Sequence, residues 1–147
     1  MILYCDTSAL IKLYLTEAGS PALKKLAAGA EALATCRISW AEAHAALARR
    51  VREVPGDAAA AAGMRRALAS DWPKFMVVEI TQEVVLLAAE YADTFALRGY
   101  DSVQLAAAHS LALESGTPVA FACFDARLNK AAKVLAMEAP FAARIAK

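Results

Sequence analysis

No run of about 18 residues in the chain is free of charge, so no segment reads as a membrane-spanning helix despite the positive mean hydropathy. Nor does one sign of charge dominate: Lys and Arg number 16 and Asp and Glu 15, a formal net charge of +1. This argues against a binder held to nucleic acid by bulk phosphate attraction, although a local basic patch is compatible with near-neutrality. The three cysteines, Cys5, Cys36 and Cys123, are far apart and form no Cys-x-x-Cys pair. They read as small buried hydrophobes in strand-like runs, not as a disulfide framework or zinc site. His44 and His109 lack the His-Glu-x-x-His spacing and are read as structural or exposed. The opening Met1-Ile2-Leu3-Tyr4-Cys5 has no basic lead and meets Asp6 at once, which does not suit a signal peptide. A cytoplasmic protein with no membrane partner is expected. With no linker-like stretch and no fixed-period repeat, residues 1–147 are expected to form a single domain.

What the chain does have is apolar residues, 59% of the total, many of them Ala and Leu. At this length a domain buries roughly two-thirds of the surface that its unfolded chain exposes. Four short apolar runs read as strands: residues 2–5, 32–38, 75–80 and 119–123. Between them lie helical patterns at 9–15, from Pro21 to about 28, 40–51, 58–72, 81–97, from Asp101 through Leu111, and after Asp125 through Leu135. Ser39 is expected to cap the third helix, Gly99 to end the one before Asp101, and Gly116 to end the one after it. The tail after Met137 is read as either a fifth short strand or packed coil. Nearly all-apolar strands alternating with helices predict an α/β fold of three layers, α/β/α, around a mainly parallel sheet of four to five strands. In such folds ligands bind beyond the carboxyl ends of the strands, where Asp6 and Asp125 fall.

Each acid has an ordinary reading. Asp6, Asp101 and Asp125 stand where helices begin, as capping residues do, and Gln104 follows Asp101 at the spacing of a capping box. Glu42 lies among Trp40, Ala41, Ala43 and Ala45, on or beside a face that should be buried. There a carboxylate needs a partner, such as Arg49 or Arg50, or a cation. Should the four converge, their mutual repulsion calls for a divalent ion, and oxygen-only ligation selects Mg²⁺ or Mn²⁺ over zinc.

The opening residues 1–14, through Asp6-Thr7-Ser8-Ala9-Leu10, resemble the first strand, first acid and first helix of PIN-domain nucleases of the VapC toxin type. Ile38-Ser39-Trp40-Ala41-Glu42 resembles the segment of their second acid. Leu97-Arg98-Gly99-Tyr100-Asp101-Ser102-Val103-Gln104-Leu105-Ala106 resembles the third, and Phe121-Ala122-Cys123-Phe124-Asp125-Ala126-Arg127-Leu128 the fourth. The likeness covers about the whole chain in the right order. It implies a PIN fold, Mg²⁺- or Mn²⁺-dependent RNA cleavage by Asp6, Glu42, Asp101 and Asp125, a cognate antitoxin, and a homodimer. Asp6 and Asp101 are expected to be the most direct ligands. One departure is Cys123, where the family usually has Ser or Thr; a thiol is a weaker hydrogen-bonding group. Ser8 and Ser102 are candidates for orienting carboxylates or water, with capping as the alternative. Lys12, Arg98, Arg127 and Lys130 are candidate RNA contacts, with solvated charge as theirs. Leu13, Tyr14 and Leu15 read either as a dimer face or as ordinary core.

Three other classes have sequence counterparts to set against this. A haloacid-dehalogenase-type phosphatase needs an aspartate two residues after the first, where this chain has Ser8, and a receiver domain needs an acidic pair ahead of its aspartate. A degenerate PIN-fold binding module is at odds with the presence of all four acids. A flap-type DNA nuclease needs extra acids and a helical arch, for which the chain is too short.

Overall fold

The computed structural model describes residues 1–142. Its centre is a parallel sheet of β1 (Ile2–Cys5), β2 (Ala32–Cys36), β3 (Met76–Val78) and β4 (Val119–Ala122), in the order β3-β2-β1-β4. Side chains alternate across a strand. Accordingly Ile2 and Tyr4 of β1 join one core, with Ala34, Cys36, Val119 and Phe121, while Leu3 and Cys5 join the other, with Ala120 and Ala122. Helices cover both faces. The first core is closed by α5 (Gln82–Phe95), α6 (Gly99–Ser115) and α7 (Ala126–Val134), through Val84, Ala88, Leu105, Ala108, Leu128 and Ala132. The second is closed by α1 (Thr7–Lys12), α2 (Ser20–Ala28), α3 (Ile38–Glu53) and α4 (Ala58–Asp71), through Leu10, Leu23, Ala43 and Leu68. This is the three-layer arrangement expected, with four strands among the described residues.

Topology places the site. The chain runs from β1 outward to β2 and β3, then returns to lay β4 on the other side of β1. The carboxyl ends of β1 and β4 therefore lie side by side at the point where strand order reverses, the usual ligand crevice of open α/β sheets. Asp6 follows β1 and Asp125 comes three residues after β4 ends.

Several local expectations are corrected. Helix α1 begins at Thr7, directly after its Asp6 cap, and not at residue 9. Helix α3 starts at Ile38, after Arg37, without a side-chain cap; Ser39 lies inside its first turn, fully buried, with its hydroxyl turned to other partners. Gly99 does not end α5. That helix stops at Phe95 with Ala96 left-handed (φ 52°), and Gly99 is the first residue of α6. Asp101 thus sits in the first turn of α6 and not at its cap, which is Arg98. Strand β3 is Met76–Val78, shorter than the apolar pattern at 75–80 suggests, and follows a 3-10 turn from Trp72 to Lys74. After Met137 the chain adds one parallel bridge, Ala120 to Glu138, and no fifth strand among the described residues.

Candidate active site

Asp6 is buried, with 7% of its surface exposed. Its Oδ1 accepts the backbone N–H of Ala9 (2.9 Å) and the hydroxyl of Ser8 (2.7 Å). One carboxylate oxygen thus takes both the helix-cap bond and the Ser8 hydroxyl. Burial pushes the Asp6 carboxyl up to about 6, the hydrogen bonds from Ala9, Ser8 and Cys123 oppose it, and the charge of Asp101 adds to the rise. Asp6 and Asp101, 95 residues apart in sequence, thus sense one another electrostatically.

Cys123 is better used than a weak hydrogen-bonding group suggests. Its Sγ accepts the backbone N–H of Asp125 at 3.2 Å and faces the Asp125 carbonyl at 3.9 Å, and it lies near enough to Asp6 to act on that carboxyl. It therefore stands between the acids that follow β1 and β4. Burial pushes this thiol up, as it does those of Cys5 and Cys36, so all three are free, buried and unreactive. Asp125 caps α7 by accepting the N–H of Leu128 at 2.9 Å. Asn129, fully buried one turn later, donates to the carbonyl of Cys123 (2.9 Å) and steadies the same loop.

Glu42 is half-buried on α3. Its partner is neither Arg49 nor Arg50, which pair with Glu53 and Asp57. Instead Glu42 Oε1 accepts the Thr7 hydroxyl (2.8 Å) and the side-chain amide of Gln104 (2.8 Å). Gln104 does not complete a capping box with Asp101. Its side chain turns inward, 3% exposed, and also reaches Tyr4, Thr7 and Ser39. Sequence reading missed Gln104, Thr7 and Asn129. The signal available for Gln104 was its position one turn after Asp101, on the same face of the helix.

Among the described residues Asp101 pairs with the exposed Arg98 (3.2 Å), an ion pair of the kind that contributes little to stability. It lines two clefts. One, about 560 Å³, is shared with Asp125, Arg98, Arg127 and Lys130. The other, about 640 Å³, is shared with Glu42, Arg98 and Tyr100. Asp101 is therefore the acid common to both, with Asp6 buried close enough to feel its charge. Ser102 does not orient Asp101; its hydroxyl donates to the Gly99 carbonyl at 2.7 Å and secures the start of α6. Lys12 lines neither cleft and is held by Glu17 (3.6 Å) and the face of Phe124 (4.9 Å). His44 bonds the Trp40 carbonyl and His109 the Tyr91 hydroxyl, as structural residues do. Leu13, Tyr14 and Leu15 pack against core within the chain, and Tyr14 donates to Asp71 (2.9 Å).

Among the described residues, no three Asp, Glu, His or Cys groups stand close enough to hold an ion as they are. The donor chemistry nevertheless fits a hard divalent cation: Asp101 shares one cleft with Asp125 and another with Glu42, no imidazole lines either, and the charge of the buried Asp6 is opposed by burial and by a like neighbour.

The PIN domain family model matches residues 3–134. Two curated relatives from Mycobacterium tuberculosis, Ribonuclease VapC45 (strain CDC 1551 / Oshkosh) and Ribonuclease VapC49 (strain ATCC 25618 / H37Rv), are each 35% identical over 132 residues, covering 89% of this chain and 89% of the relative. Among solved structures, a toxin–antitoxin complex from Klebsiella pneumoniae matches with a TM-score of 0.61 at 16% identity, over 88% of this chain and 90% of that one. Mycobacterium tuberculosis VapC20, described as a sarcin-ricin loop cleaving toxin, matches with a TM-score of 0.57 at 20% identity, over 80% and 86%. These two structures share the fold.

Proposed function

This chain belongs to the PIN-domain family, and from that premise we propose that it is a metal-dependent endoribonuclease, the toxin of a VapBC-type toxin–antitoxin pair. The observation that carries the reading is the position of Asp101: it lines one cleft with Asp125 and another with Glu42, while its charge is felt by the buried Asp6. Asp6 and Asp101 are the residues that would hold Mg²⁺ or Mn²⁺ most directly, with Glu42 and Asp125 completing the set directly or through water. A divalent cation in such a site activates water and stabilises charge on the oxygens of a phosphodiester.

The chain's own groups do the rest. Ser8 and the Ala9 N–H fix the Asp6 carboxyl, Thr7 and Gln104 fix that of Glu42, and the loop held by Asn129 fixes Asp125. Arg98, Arg127 and Lys130 line the cleft beside Asp101 and Asp125, where they would meet RNA phosphates. The curated relatives are named ribonucleases, which supports RNA as the substrate. A cognate antitoxin and a cytoplasmic site of action belong to the same reading. So does a homodimer; Val85 and Leu86 on α5 and Leu113 on α6 are exposed apolar residues available to it.

The test is cleavage of RNA by purified protein with Mn²⁺. Asp6→Asn and Asp101→Asn are expected to lose on the order of 100-fold or more in rate, the scale of losing a main electrostatic contributor, with the circular dichroism spectrum unchanged. Full activity in either variant, or in excess chelator, contradicts the proposal.

A further inference from the structure

Gln104 is the meeting point of a buried polar network that reaches three acid-bearing segments. Its Oε1 accepts the hydroxyl of Tyr4, 100 positions away in sequence, at 2.7 Å. Its Nε2 lies 2.8 Å from Glu42 Oε1, 3.0 Å from Ser39 Oγ and 3.1 Å from Thr7 Oγ1. A carboxylate only accepts hydrogen bonds, so the amide nitrogen must face Glu42 and the oxygen must face Tyr4. Tyr4 is fully buried in β1, and its hydroxyl has Gln104 as the acceptor for its proton. The Thr7 hydroxyl spends its own proton on Glu42, which leaves its lone pair for Gln104. On the other side, Ser39 Oγ is 2.7 Å from Thr35 Oγ1, which is 2.9 Å from the Cys5 carbonyl, one residue before Asp6.

The geometry points to Gln104, locked by Tyr4, as the positioning residue that sets Glu42 relative to Asp6 and Asp101. Gln104 stands one turn after Asp101 on α6, so the bonds that hold it also fix the face of the helix on which Asp101 is carried. Thr7 follows Asp6 directly, and Ser39 precedes Glu42 by one turn on α3. One amide therefore ties together the end of β1, the start of α3 and the start of α6. This inference rests on the metal-dependent reading proposed above.

Calorimetric titration of the protein alone with Mn²⁺, beside RNA cleavage kinetics, tests it. Gln104→Met, similar in shape but without the amide, is expected to lose about tenfold or more in Mn²⁺ affinity, the range seen when a group that orients a ligand is removed. At saturating Mn²⁺ its kcat falls while KM for RNA stays at the wild-type value. Tyr4→Phe keeps the ring stacked on Phe121 and moves both quantities the same way by less. The double variant is no worse than Gln104→Met alone, because both changes act through one amide. Leu111→Ala, a core truncation on the same helix, lowers stability and leaves Mn²⁺ affinity unchanged. Wild-type Mn²⁺ affinity and kcat in Gln104→Met overturn the positioning role, and so does an equal loss of affinity in Leu111→Ala. Should Gln104→Met not fold, Tyr4→Phe and Thr7→Val are read by the same criteria. A wild-type chain that binds no Mn²⁺ overturns the nuclease reading, and this inference with it; normal wild-type binding with unaffected variants overturns the inference alone.

Discussion

The carboxyl of Asp6 is held in place by hydrogen bonds and opposed by its surroundings at once. Burial raises it to about 6 and Asp101 adds a like charge, so in the absence of a cation its ionised form is a local cost to the fold. Asn at this position keeps an oxygen for the Ala9 N–H and removes the charge. Asp6→Asn is therefore expected to stabilise the metal-free protein by about 1–3 kcal/mol, the trade of stability against function common at active sites. Urea unfolding in chelator measures it, and a destabilised variant would contradict the account. Added Mn²⁺ should raise the wild-type midpoint and leave that of Asp6→Asn where it was. At this scale the sequence was legible for the helix-cap positions of Asp6 and Asp125, whose signals are local. It was not legible for Gln104, because its partners Tyr4, Thr7, Ser39 and Glu42 lie 62 or more residues away and only the folded sheet brings them together. The contacts of Cys123 were not legible for a related reason: only the fold brings its sulfur to the Asp125 N–H and close to Asp6.

Elements carry the acids, and their junctions are where small changes should be felt. Gly19 precedes α2 with φ 91°, and a Cβ there would lie 2.7 Å from Cε1 of Phe124, the residue before Asp125. Gly19→Ala combines backbone strain with overpacking of an aromatic ring and should destabilise by about 1–3 kcal/mol, measurable as a lowered thermal midpoint. Between α5 and α6, His109 bonds the Tyr91 hydroxyl, and burial lowers its pKa below the usual imidazole value of 6.5. A lowered folded-state value means the stability it contributes is present above 6.5 and is lost as pH falls through the folded value. The thermal midpoint should therefore decline on acidification from about pH 7.5 to about 5.5, and His109→Gln should flatten that decline; an unchanged slope would refute the role. Element boundaries were where sequence reading erred. Ser39 and Gly99 match capping and stop signals, yet Ser39 is drawn into the buried network and Gly99 begins a helix, since tertiary bonding outweighs local preference at both sites.

For the molecule as a whole, the layered fold was readable because each of the four strands is an apolar run and the sheet is covered on both faces. The nearness of the segments that carry Asp6 and Asp125 was not, since it depends on β4 returning beside β1, a matter of strand order that composition and periodicity do not encode. The near-neutral net charge likewise conceals the cationic cleft of Arg98, Arg127 and Lys130. Charge reversal at Arg127 or Lys130 should weaken RNA binding across sequences and lower the slope of its salt dependence by about one unit for each phosphate left without its cation. Equal salt slopes in wild type and variant would remove these residues from the RNA surface. At the centre of the proposed function is one divalent ion shared by side chains from four separate segments. Anomalous diffraction from crystals soaked in Mn²⁺ locates that ion directly: the expected peak lies between Asp6 and Asp101, with Glu42 and Asp125 reaching it directly or through water. A Mn²⁺ peak elsewhere, or none at saturating metal, would contradict it.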